Sequence, residues 1–171
     1  MGQRRSKTVK ESSIEGHHHE IFPNDLSPNN TVFGGRIMEI ADMLAAACAK
    51  KHSGKTCATL MVDSLRFVSP AKRGEILIFY AAVNRAWKTS MEVGIKVITA
   101  ASPEGESRKV VSAFFTLVSL DQFNNPSPTC EVVPESEEEK RRYEEAQERR
   151  EVRIAHAKHK QEQRDKKKKK L

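Results

Sequence analysis

The stretch GRIMEIADMLAAACAKKH, residues 35–52, reads as one long helix. Its Ala, Leu and Met content favours helix, its last turn is basic, and Gly54 marks its end. Apolar residues occupy most of its circumference, which predicts burial. One residue breaks the run: Asp42, in the middle.

Beyond residue 55 the chain changes its period. TCATLMVDSLRFV (56–68), EILIFYAAVNRAW (75–87), SMEVGIKVITAA (90–101) and SRKVVSAFFTLVSLD (107–121) are rich in β-formers. PAKRG, KT and SPEGE separate them, connections short enough for antiparallel neighbours. Glu92, Gly94 and Lys96 alternate with Val93, Ile95 and Val97, the period of a strand with one buried face. With a short strand near Ile21, the order is strand, helix, then four strands. An α+β fold, an antiparallel sheet wrapped around a long central helix, satisfies it. Ahead of the helix, PNDLSPNNTVFGG (23–35) is rich in turn formers and predicts an ordered loop.

The flanks are polar. The formal charge is +7, but residues 1–10 hold four basic side chains and no acid, and residues 135–171 hold fourteen against ten acids, which leaves 11–134 near −1. Residues 1–19 offer little to bury and are expected to be disordered, the histidines His17–His19 included. From residue 133 to 171 the composition is that of a solvated helix, with Glu138–Arg142 and Glu145–Arg149 at i,i+4, fraying into a lysine run. The expected organisation is therefore a basic segment 1–19, one domain 20–132 and a charged helical tail 133–171. No run of about 18 apolar residues is present, and Cys48, Cys57 and Cys130 form no close pair, so a cytoplasmic chain with free thiols is expected.

Several chemistries are excluded on spacing. SGKT at 53–56 resembles the end of a phosphate-binding loop, but Ala49 stands where that motif needs glycine, and helix precedes strand. No GxSxG elbow and no metal-ligand spacing appear. Asp42 is different, because burying a carboxylate costs several kcal/mol, roughly, unless it is paired or used. By helical spacing it shares a stripe with Gly35, Met38 or Glu39, and Ala45 or Ala46. Two readings stay open on the residues alone: a functional carboxylate, or a structural one satisfied by backbone donors, Arg36 or Arg66. Gly34 and Gly35 stand where the helix begins. There, glycines let amides approach a substrate, and the helix dipole favours negative charge. The plainer reading is a junction needing unusual φ values.

Seven blocks, in order, resemble the acyl-CoA hydrolase branch of the hotdog superfamily: FPND (22–25), VFGGRIMEIAD (32–42), KKH (50–52), VDSLRFVSPAKRGE (62–75), KTSMEV (88–93), SAFFTLVSLD (112–121) and VPESEEEKRRYEEA (133–146). The resemblance implies a hotdog fold, a double-hotdog dimer with sites at the shared interface, and commonly a trimer of such dimers. It implies hydrolysis of acyl-CoA to fatty acid and CoA without a cofactor. Asp42 would be general base or nucleophile, and the amides of Gly34 and Gly35 would polarise the thioester carbonyl. Those groups lie about 10 Å apart along one helix, so the site would combine the helix start of one subunit with the Asp of its partner. Where members often carry Asn, in a pattern like NDTNP, this chain has NDLSP, with Ser27 in its place.

CoA carries phosphates, and Arg85, Lys88, Ser90, Arg108 and Lys109 at strand ends are candidates to meet them. Phe33 and Phe67 are candidates for the wall of the acyl or pantetheine channel. A hotdog dehydratase is disfavoured because such enzymes use a His, and none lies between residues 20 and 51. A non-catalytic acyl-CoA-binding protein is one alternative. Another is binding of nucleic acid or anionic surfaces through the basic ends, by counterion release.

Overall fold

The structure is a computed structural model and describes residues 5–101 and 105–168. In chain order its elements are β1 (Ser6–Thr8), α1 (Val9–Ser12), β2 (Ile14–Glu20), a 3-10 turn at Pro23–Asp25, α2 (Gly34–Ser53), β3 (Thr56–Phe67), β4 (Ile76–Ala86), β5 (Ser90–Thr99), β6 (Lys109–Leu120), β7 (Glu131–Val133) and α3 (Glu137–Lys168). The main sheet has the order β2-β4-β5-β6-β3 and is antiparallel throughout. The helix ends where the sequence says it should, at Gly54 with φ 68°, whose amide returns to the Lys50 carbonyl.

Strand alternation decides what the sheet buries. Leu77, Phe79, Ala81 and Val83 of β4, Val93, Ile95 and Val97 of β5, and Val111, Ala113, Phe115 and Leu117 of β6 face α2. From α2 they meet Ile37, Ile40, Ala41, Ala45, Cys48 and Ala49. Burying each large side chain of this set stabilises the fold by about 1.5–3 kcal/mol. Small residues along α2 let the curled sheet approach the helix backbone.

Both ends depart from expectation. Residues 6–20 are ordered, with β1 pairing in parallel with β7, and β2 adding a fifth strand beside β4. Thr8 and Glu11 form a reciprocal cap for α1. Its Ser12 hydroxyl is 2.8 Å from His52 Nδ1, while His52 Nε2 donates to the Cys130 carbonyl at 3.2 Å. His52 is fully buried and ties α1, the end of α2 and the chain before β7 together. Backbone pairing at a sheet edge orders a polar segment without needing apolar side chains, which is why composition alone misleads here.

The second departure is α3. Ser136 and Glu139 cap its start reciprocally, with Glu139 accepting from the amides of Glu135 and Ser136. As far as Arg153 it then lies across the outer face of the sheet, whereas residues 154–163 are exposed, as a solvated helix would be. Ala146 is fully buried. The Arg85 guanidinium stacks on Tyr143 at 4.0 Å, Trp87 donates to Gln147 at 3.0 Å, and Arg150 stacks on Trp87 at 4.4 Å. Arg149 grips the buried Glu92 through two hydrogen bonds of 2.8 and 3.0 Å, and Arg153 pairs with Asp63 at 2.5 Å. Tyr143, Ala146, Arg149, Arg150 and Arg153 recur at three- and four-residue spacing, so they share one face. That face is cationic where an apolar stripe is the usual signal of docking. The last residues of the lysine run, from 169 on, lie outside the described residues.

Candidate active site

Asp42 sits on the outward face of α2 and is exposed in the single chain, contrary to the burial expected of it. Its partner is neither backbone nor arginine. Thr59 of β3 donates its hydroxyl to Asp42 Oδ1 at 2.7 Å. Arg36 instead binds Asp25 at 3.0 Å and Glu39 at 2.8 Å. The stripe around Asp42 holds Met38, Glu39 and Ala46, whereas Ala45 turns into the core.

Thr59 is the functional candidate that the sequence reading missed. The strand becomes irregular just beyond it: Thr59 pairs with Leu117 but Met61 with Thr116, so Leu60 is an extra residue in β3. A second skip falls at Asp63. Thr59 lies opposite the core residue Leu117 and so faces α2, while the second bulge turns Asp63 toward Thr116 and Arg153 on the α3 side. No residue type announces such bulges.

The start of α2 is built by the loop before it. Asp25 accepts from the Phe22 amide and His19 Nε2, both at 3.0 Å, and its carbonyl receives the Phe33 amide at 2.8 Å. Burial pushes the Asp25 carboxyl up, but the Phe22 amide, His19 and Arg36 outweigh it and hold the group below the usual aspartate range. With Arg36 on the first turn of the helix, this network fixes where Gly34 and Gly35 lie.

The glycines are needed for closeness rather than for unusual φ. Neither has positive φ among the described residues. A Cβ at Gly34 would stand 2.8 Å from Phe67 Cζ, and one at Gly35 would stand 2.3 Å from Phe33 Cε1. Both rings are about half exposed and lie over the helix start. The first amides of a helix have no intrahelical acceptor, so the arrangement offers donors beside an aromatic wall.

The other candidates scatter. Ser27 is spent on its own turn, accepting from the Asn29 amide and meeting Thr31 Oγ1, both at 3.3 Å. Arg85 and Ser90 are held by α3, the latter by Arg150 at 3.2 Å. Arg108 forks onto Glu75 with two bonds of 2.8 Å, which lower the Glu75 carboxyl despite its partial burial. Lys109 borders a groove between the sheet and α3, and the Lys88 carbonyl takes the Thr129 amide. None of these six adjoins Asp42 or Gly34 through a described contact.

Around the site runs an apolar surface. Phe22, Phe33, Met38, Met43, Leu60, Met61 and Phe67 are each more than two-fifths exposed. They lie on the loop before α2, on α2 itself and on β3, the terminal strand of the sheet.

The thioesterase superfamily model matches residues 29–105. An uncharacterised acyl-CoA thioester hydrolase of Bacillus subtilis is 35% identical over 136 residues, 80% of this chain and 75% of that protein. A hexameric acyl-CoA thioesterase in its apo form superposes with a TM-score of 0.86 at 34% identity, covering 90% of this chain and 97% of that one. An acyl-CoA hydrolase from Staphylococcus aureus, in complex with butyryl-CoA, CoA and CoA disulfide, gives 0.86 at 31% identity over 94% and 97%. The resemblance seen in the seven sequence blocks is thus carried by sequence and fold together, and the chain belongs to the hotdog-fold acyl-CoA hydrolases of the thioesterase superfamily.

Proposed function

We propose that this chain hydrolyses acyl-CoA thioesters to fatty acid and CoA. The observation that carries the reading is the Thr59–Asp42 hydrogen bond, which holds a carboxylate on the exposed helix face it shares with Met38, Glu39 and Ala46. Thr59 fixes Oδ1 and leaves Oδ2 to take a proton from water or to attack the carbonyl carbon itself. The Gly34 and Gly35 amides supply the oxyanion donors, and Phe33 and Phe67 wall the channel. The span of about 10 Å between these groups on one helix calls for a second copy.

The apolar surface supports that assembly. A terminal strand of twelve residues presents unpaired backbone groups to another chain, and exposed Leu60, Met38 and Met43 would be covered in a double hotdog. Burial there would also dry the Asp42 carboxylate. A trimer of such dimers agrees with the hexameric neighbour. The thioesterase unit of residues 20–132 is on this reading extended at both ends, by β2 and by α3.

The test is CoA release from acetyl to palmitoyl thioesters by the wild type and Asp42→Asn. A loss of about 10²-fold or more in a folded variant is expected. Equal turnover by the two proteins overturns Asp42, and no turnover of any thioester by the wild type overturns the activity.

A further inference from the structure

The chain docks only part of one face of α3. Ala146, Arg149, Arg153, Ala157, Lys160 and Arg164 follow one another at three- and four-residue spacing, a single stripe with no acid in it. Glu144, Glu148, Glu151 and Glu162 recur on the opposite side of the helix. The first half of the stripe meets the sheet. Tyr143 stacks with Arg85 of β4, Arg149 meets Glu92 of β5 and Phe114 of β6, and Arg153 meets Asp63 of β3. Since the sheet runs β2-β4-β5-β6-β3, the helix crosses it toward the terminal strand and there runs out of sheet. From residue 154 to Lys168 it continues for about 22 Å, and Ala157 and Lys160 are exposed.

We propose that this overhanging cationic face binds the phosphate backbone of double-helical nucleic acid without reading its sequence. Residues 156–171 hold eight Lys or Arg against two acids. A duplex carries a charge about every 1.7 Å, and each phosphate neutralised by a cation releases condensed counterions. No Phe, Tyr or Trp follows Tyr143, so the stacking that single-strand binding uses is not on offer. With the acids on the far side of the helix, the stripe can lie against a backbone free of like charge.

Two other occupants are disfavoured. A flat lipid surface approaching this face meets the sheet first, because the docked half looks the same way. Beyond Arg153 the stripe also lacks a large apolar side chain to insert. A second copy paired along β3 would bring its outer sheet face beneath the overhang. That face shows exposed Arg66, Lys96 and Lys109, while its Asp63 and Glu92 are taken by its own α3. Like charges would meet.

The test follows binding of a short fluorescent DNA duplex of random sequence by anisotropy, across a salt series, for the wild type, Lys160→Glu and Lys158→Glu. The two substitutions change the net charge equally and both residues are exposed, but Lys158 lies off the stripe. The wild type is expected to bind, with log affinity falling linearly with log salt. Lys160→Glu should weaken binding about tenfold and lower that slope by about one, and Lys158→Glu should change it less than about twofold. Equal weakening by the two variants overturns the assignment to this face, and no binding by the wild type overturns it outright. Tighter binding to phosphatidylserine vesicles than to the duplex, with the same dependence on Lys160, overturns it in favour of lipid. No thioester enters the measurement, so its result stands apart from the activity proposed above.

Discussion

Thr59 on the terminal strand and Asp42 on the central helix are joined by a hydrogen bond of 2.7 Å, seventeen residues apart in sequence. If the carboxylate acts on the thioester, the hydroxyl sets its rotamer. Thr59→Val is expected to lower kcat about tenfold with little change in melting temperature, and Thr59→Ser to keep most of it. A rate unaffected by Val removes Thr59 from the site.

The Gly35 contact with Phe33 makes a second prediction. Gly35→Ala favours the helix by propensity, yet its methyl would meet the Phe33 ring, which must swing away. Because the ring is exposed, stability should change by less than about 1 kcal/mol. Activity should fall well beyond that, measured as kcat/KM beside a thermal melt.

The docking of α3 is predicted to be costly to disturb from one side. Arg149→Met leaves the fully buried Glu92 without its cation, for an expected loss of about 3–5 kcal/mol. The double variant with Glu92→Gln should recover part of it, since the remaining amide can still pair with Asn84. Denaturant unfolding of the wild type, the two single variants and the double variant gives the coupling directly.

Acid should loosen the loop before α2. The Asp25 carboxyl is held below its ordinary value by the Phe22 amide, His19 and Arg36 against the effect of burial. Its stabilising contribution is therefore complete above the ordinary aspartate value and is lost as pH falls through and below about 4. Glu75, lowered by Arg108, acts with the same sign. Melting temperature against pH should fall less steeply there for Asp25→Asn than for the wild type.

Burial pushes the Cys48 thiol up to about 12. A thiol reagent used to follow CoA release should leave Cys48 unlabelled in the native protein and label it on unfolding. Mass spectrometry of the peptide containing Cys48 checks this.

The fold was legible because its signals were periodic. The helix and four of the strands fall within two residues of the expected spans, and Gly54 closes α2 as its φ demands. The polar ends were not legible, since β1 and β2 are held by backbone pairing and α3 by arginines, and neither leaves an apolar pattern. Of the site, Asp42 and the two glycines stood out as residue types in odd places. Thr59 did not, because a threonine in a strand is ordinary and only its pairing opposite Leu117 decides where it points. Arg85 and Arg108 looked available only because sequence does not show what faces a strand end.

The pairing of Ser6–Thr8 with Glu131–Val133 bears on how the protein is made. A ribosome releases β1 first, and its partner strand emerges more than a hundred residues later. Closing so long a loop is entropically slow, so the leading strand waits while the rest of the sheet collapses. During synthesis the nascent chain carries β2 and β1 loose, and the His52 tie to Ser12 becomes secure only after Cys130 has left the tunnel. Maturation of the end of α2 is thereby coupled to the emergence of a segment almost eighty residues further along the chain.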